Sequence, residues 1–176
     1  MSHDQQTDPR SAEHHAEPFA PLPNGTYGRP MPSDTGIWRL VSRYLLRRAH
    51  STRSAGFRGV GVLALTTTGA KSGRQRGPVP VGFVRDGEDW IITATAAGAK
   101  HHPAWYYNCA ARPDGVTIVA DGVRVEVNAS QLEGEEFERI TRETRARSSR
   151  ATLRTLDRYA AATDRRLPLL RLTRRG

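Results

Sequence analysis

The stretch VPVGFVRDGEDWIITATA, residues 79–96, holds two apolar runs separated by Asp86-Gly87. Both residues of an Asp-Gly pair tolerate positive φ, so this pair between apolar runs predicts an antiparallel β-hairpin. The pattern returns in VTIVADGVRVEVNA, residues 116–129, where valines alternate with polar residues as they do in a half-buried strand. Two hairpins of this kind favour an antiparallel sheet.

The segments around the hairpins add further strands and helices. The sequence predicts strands over 59–68, 79–85, 90–96, 116–120, 123–129 and 167–172. It predicts helices over 35–49, 104–111, 134–147 and 149–162. Strands do not alternate with helices in the βαβ manner, which argues against a parallel doubly wound sheet. The expected fold class is therefore α+β and mainly β, a small antiparallel barrel with helices outside it.

Residues 1–32 differ in composition from the rest of the chain. They are almost all polar, proline or glycine and show no periodicity, so they cannot bury enough surface to offset the entropy of ordering. We expect a disordered tail over 1–32 and one domain over 33–176. The features of a signal peptide are missing, and no apolar run approaches the roughly 18 residues that span a bilayer. Together with a single cysteine, Cys109, these features predict a cytoplasmic protein.

The formal net charge of +9 predicts attraction to anions. Nucleic acid, an acidic membrane and a polyanionic small molecule all fit this charge, so local sites must decide among them. Arginines over 142–154 and near the C-terminus would supply phosphate contacts for nucleic acid. No zinc finger, helix-turn-helix or RNA-binding motif is evident, and nucleic acid is therefore the less favoured partner.

The predicted helix over 35–49 is amphipathic. Near one of its faces lie four apolar side chains: Ile37, Val41, Tyr44 and Leu45. Another face carries arginines at intervals of four residues: Arg39, Arg43 and Arg47. Such a helix either covers the core with its apolar face or lies on an anionic membrane as a peripheral contact.

The segment TTTGAKSGRQR, residues 66–76, places Lys71, Ser72 and Arg76 in a turn bracketed by glycines. A nucleoside-triphosphate loop would need glycines where this chain has Ala70 and Leu65, which excludes that motif. A lysine, a hydroxyl, a guanidinium and free backbone N–H groups still suit an anion. The alternative is an exposed polar loop in a basic protein.

Two further groups are weaker candidates for chemistry. Adjacent side chains such as His101 and His102 point apart, and no nearby ligand completes a tetrahedral set, so no metal site is predicted. Cys109 follows aromatic residues in a short predicted helix and is expected to be packed inside rather than to act as a nucleophile.

The order TTTGAKSGRQR, RDG and HPAWYYN, followed by the terminal TDRRLPLL, resembles the deazaflavin-dependent nitroreductase family. The resemblance implies a split antiparallel β-barrel of the flavin-reductase type, often a homodimer. It also implies hydride transfer from reduced coenzyme F420 to a small-molecule electron acceptor such as a quinone, an enone or a nitro compound. FMN, FAD or haem in the same barrel is the less favoured alternative.

The resemblance implies roles for residues at matching positions of this chain. The anionic end of F420 would be held by the basic turn: Lys71, Ser72 and Arg76. The rest of the cofactor would contact Pro80, Thr95, Trp105, Tyr106 and Asn108. Tyr159 would lie on the substrate side as the first proton donor, with Tyr106 and Thr95 as further catalytic candidates. For the aromatic residues of HPAWYYN, ordinary core packing is the alternative.

The chain departs from the family pattern at several positions. Ala70 stands where relatives have a basic residue, Gly82 replaces an aromatic, and Ala96 stands where lysine is frequent. One extra residue lies near 77–79. These changes bear on cofactor affinity and on the acceptor pocket more than on the fold.

Overall fold

The structure is a computed structural model, and it describes residues 16–32, 36–51 and 61–176. The described strands are β1 Gly61–Thr68, β2 Gln75–Asp86, β3 Asp89–Thr93, β4 Val116–Ala120, β5 Val123–Gln131 and β6 Leu169–Arg174. The described α-helices are α1 Ile37–Ala49, α2 Ala104–Ala111, α3 Gly134–Arg147 and α4 Arg150–Ala161. A short 3₁₀ helix, Ala96–Gly98, follows β3.

The six strands form a closed antiparallel barrel in the order β1-β2-β3-β6-β5-β4. β1 pairs with both β2 and β4, which closes the sheet on itself and removes its edges. Both hairpins are present, and the turn between β4 and β5 uses positive φ at Asp121 and Gly122, 53° and 76°. The predicted antiparallel barrel with flanking helices is confirmed.

Two strand ends differ from the prediction for backbone reasons. β3 was expected to reach Ala96 but ends at Thr93, because Ala96 and Ala97 have positive φ values of 43° and 53° that an extended strand does not allow. The last strand begins at Leu169 rather than at 167. Pro168 has no N–H to donate, although its carbonyl oxygen accepts from the Ala94 N–H at 3.0 Å.

The core fills the barrel interior and continues under α3. The barrel strands contribute fully buried aliphatic side chains, among them Leu63, Leu65, Ile92, Ile118, Leu170 and Leu172. A second cluster, Ile91, Leu132, Ile140 and Leu169, joins α3 to the outside of β3 and β6. Burying one such side chain stabilises the fold by roughly 1.5–3 kcal/mol, so the barrel is a rigid support for its turns.

Residues 16–32 form a strap across the barrel, which corrects the expectation of disorder for this part of the tail. The Phe19 N–H donates to the Ala110 carbonyl at 3.0 Å, and the Gly25 N–H donates to the Lys100 carbonyl at 2.9 Å. Composition hid this docking because the strap has no periodic pattern and uses scattered backbone groups rather than a continuous apolar face. Residues 1–15 lie outside the described residues.

Helix α1 packs against β1 and β2, and its C-terminal end meets the β4–β5 turn. The Gly122 N–H donates to the Ala49 carbonyl at 3.2 Å. Val41 and Tyr44, expected on a core-facing side, are 40% and 60% exposed. The predicted cap at 33 or 34 lies outside the described residues. Within 16–32, 36–51 and 61–176, every helix falls short of the length and apolarity needed to cross a membrane.

Candidate functional site

The turn between β1 and β2 is shaped by two glycines. The Gly69 N–H donates to the Arg74 carbonyl and the Gly73 N–H donates to the Gly69 carbonyl, both at 2.8 Å. Gly73 has φ 65°, a value that side chains disfavour. A Cβ on Gly69 would come within 2.6 Å of the Ser72 Oγ. Glycine at 69 therefore leaves room for the Ser72 hydroxyl close to the backbone of the turn, and glycine at 73 allows the positive φ there.

This basic turn, residues 69–76, presents cations without partners. Lys71, Arg74 and Arg76 are exposed, and none of them pairs with a carboxylate in the part of the chain that the structure describes. Ser72 Oγ accepts from the Arg74 N–H at 3.3 Å and lies 3.5 Å from Arg76 Nη2. Exposed lysine and arginine side chains on one turn, with the Arg76 guanidinium beside the Ser72 hydroxyl, form a donor set that suits a phosphate or a carboxylate.

Asn108 ties helix α2 to the base of the basic turn. Its Oδ1 accepts from the Ala70 N–H at 3.0 Å, and its Nδ2 donates to the Thr67 Oγ1 at 2.9 Å. The structure thus brings Asn108 together with the turn, whereas the resemblance placed it near the ring of the cofactor. Thr67, which is 1% exposed, was missed by sequence reasoning, since nothing distinguishes it among three consecutive threonines.

A β-bulge near residue 77 accommodates the extra residue seen in the sequence. Leu65 faces Val79, but Thr67 faces Arg76, so β2 has one residue more than β1 in this interval. Gly77 has φ 114°, and a Cβ there would come within 2.5 Å of the Leu65 carbonyl oxygen. The bulge therefore sets the position from which Arg76 leaves the sheet.

Pro80 lies beyond this bulge on the outer face of β2. Its register partner is Ala64, and the neighbouring pairs on either side, Leu65 with Val79 and Leu63 with Val81, contribute to the core. Gly82 is exposed on the same outer face. Because β3 runs antiparallel to β2, the residues after Thr93 continue toward this part of β2.

The aromatic residues of helix α2 have different environments. Trp105 is half-buried and packs against the barrel core. Tyr106 has no exposed surface, and its hydroxyl accepts from the Leu22 N–H at 2.8 Å and donates to Gln131 Oε1. Burial raises the pKa of Tyr106 above its ordinary value. This environment does not suit the two predicted roles of Tyr106, as a cofactor contact and as a proton donor. The strap bonds its hydroxyl, and Gln131 takes the hydroxyl hydrogen.

Thr95 and Tyr159 meet through the loop of residues 94–99. Thr95 precedes the 3₁₀ helix and is half-buried. Gly98 lies against α4 so closely that a Cβ would come within 2.7 Å of the Tyr159 carbonyl oxygen. Tyr159 itself is half-buried. The structure therefore places the Tyr159 backbone next to the loop that contains Thr95, and no hydrogen bond or ion pair among the described residues joins Thr95 or Tyr159 to Lys71 or Arg76.

A buried network behind the 94–99 loop was not predicted. Arg165 and His102, 5% and 2% exposed, lie with Arg165 Nη1 3.1 Å from His102 Nδ1. His102 Nε2 lies 3.0 Å from the Pro23 carbonyl oxygen of the strap, so Nε2 carries the hydrogen and Nδ1 accepts. Burial lowers the pKa of His102 below its ordinary value. In the sequence, Arg165 cannot be distinguished from its neighbour Arg166, which is exposed.

Other candidate groups are placed away from this chemistry. Cys109 is buried, as predicted, and burial raises its pKa to about 12. Over the described ranges, no group of three or more His, Cys, Asp or Glu side chains could hold a metal ion. Of the arginines considered for nucleic acid, Arg145 pairs with Asp157 at 2.8 Å and Arg147 pairs with Glu143 at 3.4 Å. Their charge is partly neutralised inside the fold.

A cavity of about 400 Å³ lies elsewhere, between α3 and the sheet. Its apolar lining includes Phe83, Ile91 and Ile140. It opens near the end of β2 and the start of β1, the opposite end of the β1–β2 ladder from the basic turn. Its charged rim is engaged in ion pairs, for example between Arg85 and Asp121 at 3.6 Å. The unpaired cations therefore favour the basic turn as the candidate site for an anion. The cavity lies at the other end of the ladder and its charged rim is already paired.

Comparison with known proteins gives consistent results. A family model described as F420H(2)-dependent quinone reductase matches residues 38–174. Over 118 residues the chain is 33% identical to the F420H(2)-dependent quinone reductase of Mycobacterium tuberculosis, covering 64% of this chain and 73% of that protein.

Two solved structures are similar to the barrel. One, described as an F420-H2 dependent reductase, matches with a TM-score of 0.53 and 30% identity, over 63% of this chain and 92% of its own. Another, described as a domain-swapped dimer, has a TM-score of 0.53 and 29% identity, over 77% of this chain and 96% of its own. The predicted deazaflavin resemblance, fold and cofactor are confirmed. The chain belongs to the F420H(2)-dependent quinone reductase family and is an oxidoreductase that uses coenzyme F420.

Proposed function

We propose that the protein reduces a quinone-type acceptor with F420H2 and binds the anionic end of the cofactor at the basic turn. When bound, reduced F420 supplies a hydride. The observation that carries the proposal is the set of unpaired cations on a turn that Asn108 fixes to helix α2. An enone or a nitro compound is a second class of acceptor for the same chemistry.

The residues of the turn fit the charged end of such a cofactor. Lys71 provides a point charge and Arg76 a planar fork of N–H donors, with the Ser72 hydroxyl beside the fork. The N–H groups of Lys71 and Ser72 donate to no acceptor among the described residues, so they are also available. Glycine at 69 keeps this cradle open, since a Cβ would occupy the space of the Ser72 hydroxyl.

We propose that Pro80 and Trp105 contact the cofactor between the turn and the 94–99 loop. Both are half-buried and offer apolar surface for a flat ring. Asn108 lies at the base of the turn through its contact with Ala70. We propose that residues 33–176 form the deazaflavin-binding domain and that the strap completes it.

Tyr159 is the proposed proton donor to the reduced acceptor. It is half-buried on α4 beside the 94–99 loop, and a phenol O–H can donate a proton within a site that excludes bulk water. Thr95 would hold a hydrogen bond at the ring or the acceptor. Tyr106 is not retained in either role because its hydroxyl is occupied by Leu22 and Gln131.

A fluorescence titration with F420, FMN and FAD tests the cofactor choice. We expect F420 to bind more tightly than either flavin, and oxidation of F420H2 to accelerate when a soluble naphthoquinone is added. Matched assays with an enone and a nitroaromatic rank the acceptors. Tight FMN binding without F420 binding would contradict the proposal.

We further propose that the enzyme is cytoplasmic and meets its lipophilic acceptor at an anionic membrane surface through α1, within residues 35–49. Leu40 and Tyr44 are each 60% exposed. The exposed Arg39, Arg43 and Arg47 supply charge on the same helix. Cosedimentation with vesicles containing anionic lipid should be lost in Leu40→Asp and at high salt. Binding to neutral vesicles alone would argue against this contact.

A homodimer is a separate proposal. Its support is the similar barrel described as a domain-swapped dimer, which matches 77% of this chain. Light scattering on the purified full chain should then give twice the monomer mass of 19.5 kDa. A monomer mass across the working concentration range would refute it.

A further inference from the structure

The 94–99 loop has a backbone that ordinary residues disfavour. Ala96, Ala97 and Gly98 all have positive φ, 43°, 53° and 77°. Two of these residues carry a Cβ, which makes the left-handed conformation unfavourable unless surrounding contacts hold it. Thr95 lies immediately before them in a right-handed conformation. A right-handed residue followed by a left-handed one turns successive N–H groups to one side, which forms a concavity for an oxygen atom.

Part of this concavity is open to a ligand. The N–H groups of Ala96 and Ala97 donate to no acceptor among the described residues. Both residues are half-buried, and Gly98 on the same loop packs against the Tyr159 backbone. The loop therefore offers hydrogen-bond donors beside the proposed proton donor.

Arg165 holds the carbonyl side of this loop. Its Nε donates to the Ala99 carbonyl at 2.7 Å, and its Nη2 donates to the Thr95 carbonyl at 2.5 Å. Its Nη1 donates to the Ala94 carbonyl at 3.0 Å. One guanidinium thus bonds the first two residues and the last residue of the 94–99 loop.

The cation lies there without a carboxylate. Neighbouring Asp164 turns away to the Thr26 N–H and hydroxyl, at 2.9 and 2.6 Å, and no described carboxylate pairs with Arg165. Burying a cation is costly unless hydrogen bonds replace its water. The converging carbonyls and His102 Nδ1 perform this replacement, so the geometry of the loop and the burial of Arg165 depend on each other.

We propose that Arg165 is a positioning residue for the reaction: it fixes the 94–99 loop so that Thr95 and the amides of Ala96 and Ala97 face the reacting groups in one arrangement. This inference rests on the proposed function. Arg165 itself touches neither cofactor nor acceptor. The planar fork is essential, because a single ammonium group cannot reach carbonyls at both ends of the loop.

The test compares Arg165→Lys with Arg166→Lys in the full chain. Both changes keep the charge, and Arg166 is an exposed neighbour whose guanidinium lies 4.0 Å from the Phe137 ring centroid. Amide hydrogen exchange on the protein without cofactor should increase locally at 94–99 in Arg165→Lys and stay unchanged in the strands. With F420H2 and a naphthoquinone, kcat should fall about tenfold or more while the Kd for F420 changes less than threefold. Arg166→Lys should match the wild type in both measurements.

Three outcomes would overturn the inference. Wild-type exchange and kcat in Arg165→Lys would show that the fork is dispensable. Faster exchange throughout β3 and β6, with kcat reduced only in proportion to the folded fraction, would show a merely structural role. Failure of the wild-type protein to bind F420 would remove the proposed function itself, and the exchange data would show separately whether Arg165 still orders the loop.

Discussion

Cationic side chains lie in two regions of the molecule, unpaired in the basic turn and paired with carboxylates near the opposite end of β2. We call the second region the arginine cluster: Arg139 and Arg171 with Asp86, Asp89 and Glu136. Arg171 bonds Asp86, Asp89 and Glu136, each at 2.7 Å, and Arg139 bonds Asp86 at 3.2 Å. In the turn, Lys71, Arg74 and Arg76 have no such partners among the described residues.

The difference shows that the net charge of a chain does not tell which of its cations are free to bind an anion. Hydrogen bonds from Arg171 and Arg139 hold the pKa of Asp86 below its ordinary value. This carboxylate is therefore ionised at neutral pH, and its negative charge partly neutralises both arginines. The arginine cluster therefore joins α3 to the sheet and has little charge left for a ligand. The turn keeps its charge available for an anion.

The largest expected effect is on cofactor affinity at the turn. Lys71→Ala and Arg76→Ala should each weaken F420 binding about ten- to a hundredfold, since hydrogen bonds to charged groups contribute roughly 1.5–3 kcal/mol. Arg76→Lys should restore only part of the loss. Thermal unfolding should hardly change, because these side chains are exposed. A fluorescence titration with F420 measures the affinities.

Arg85→Ala is the matched control for this experiment. Arg85 lies on β2 like Arg76, but it pairs with Asp121 at 3.6 Å, and its guanidinium lies 4.1 Å from the Trp90 ring centroid. If Arg85→Ala weakened F420 binding as much as Lys71→Ala, diffuse electrostatics would explain the affinity and the distinction between the two regions would be lost.

The next effect concerns turnover and separates binding from chemistry. Tyr159→Phe keeps the ring on α4 and removes the hydroxyl, so we expect turnover to fall roughly tenfold or more, within the range of general acids. The Kd for F420 should stay unchanged, since we propose that the anionic end binds at the turn. Steady-state assays with F420H2 and a naphthoquinone provide both values. Unaltered turnover would assign proton donation to Thr95 or to water.

A smaller effect is expected in the arginine cluster, on stability rather than on affinity. Arg171→Met leaves Asp89 without its partner and Asp86 with Arg139 alone, and Arg171 has a side chain only 17% exposed. We expect a loss of about 1–2 kcal/mol, or a Tm lower by roughly 2–8 °C. F420 affinity should be retained.

Arg174→Met on the same strand is the control for this change. Arg174 is exposed, and no ion pair within the described ranges includes it. Its replacement should leave the Tm within about 1 °C, because isolated surface charges contribute little. Equal losses of Tm in the two variants would mean that the cluster has no special role in stability.

The sequence predicted what local patterns determine and missed what distant contacts determine. The hairpins at Asp86 and Asp121, and helix α2 from Ala104, follow from turn residues and short-range periodicity. The docking of the strap does not, because the Leu22 N–H finds its acceptor on Tyr106, 84 residues away. The same contact could not be read from the aromatic motif HPAWYYN, because a motif does not show which distant segment will bond the Tyr106 hydroxyl.

Of the three substitutions that depart from the family pattern, the structure gives a context for Ala70 and Ala96 but not for Gly82. Ala70 contributes a backbone N–H to Asn108, a bond that does not depend on its side chain, so the basic residue of relatives is not needed to tie the turn to α2. Ala96 adopts positive φ within a loop that Arg165 holds. Gly82 is exposed on the outer face of β2, and nothing in the structure explains its replacement of an aromatic.

The smallest expected effect concerns pH and the buried network behind the 94–99 loop. Burial lowers the pKa of His102 in the folded state, and the nearby charge of Arg165 acts in the same direction. The unfolded chain therefore binds a proton more readily, so stability rises with pH in this range. The contribution of neutral His102 is fully present above the ordinary histidine pKa near 6.5 and is lost as pH falls toward the lowered value. Acid should thus break the contact between Arg165 and His102, since a protonated Nδ1 can no longer accept from Arg165, whereas the Nε2 hydrogen can still donate to the Pro23 carbonyl.

Melting curves between pH 8 and 5 check this effect, with each 1 kcal/mol equivalent to roughly 2–4 °C in a domain of this size. His102→Asn should have a lower Tm at pH 8 and a flatter dependence on pH, because it has no proton to gain. His101→Asn is the matched control: His101 is an exposed neighbour and its replacement should preserve the wild-type slope. If His102→Asn keeps the wild-type slope, the titration of His102 does not set the acid sensitivity between pH 8 and 5.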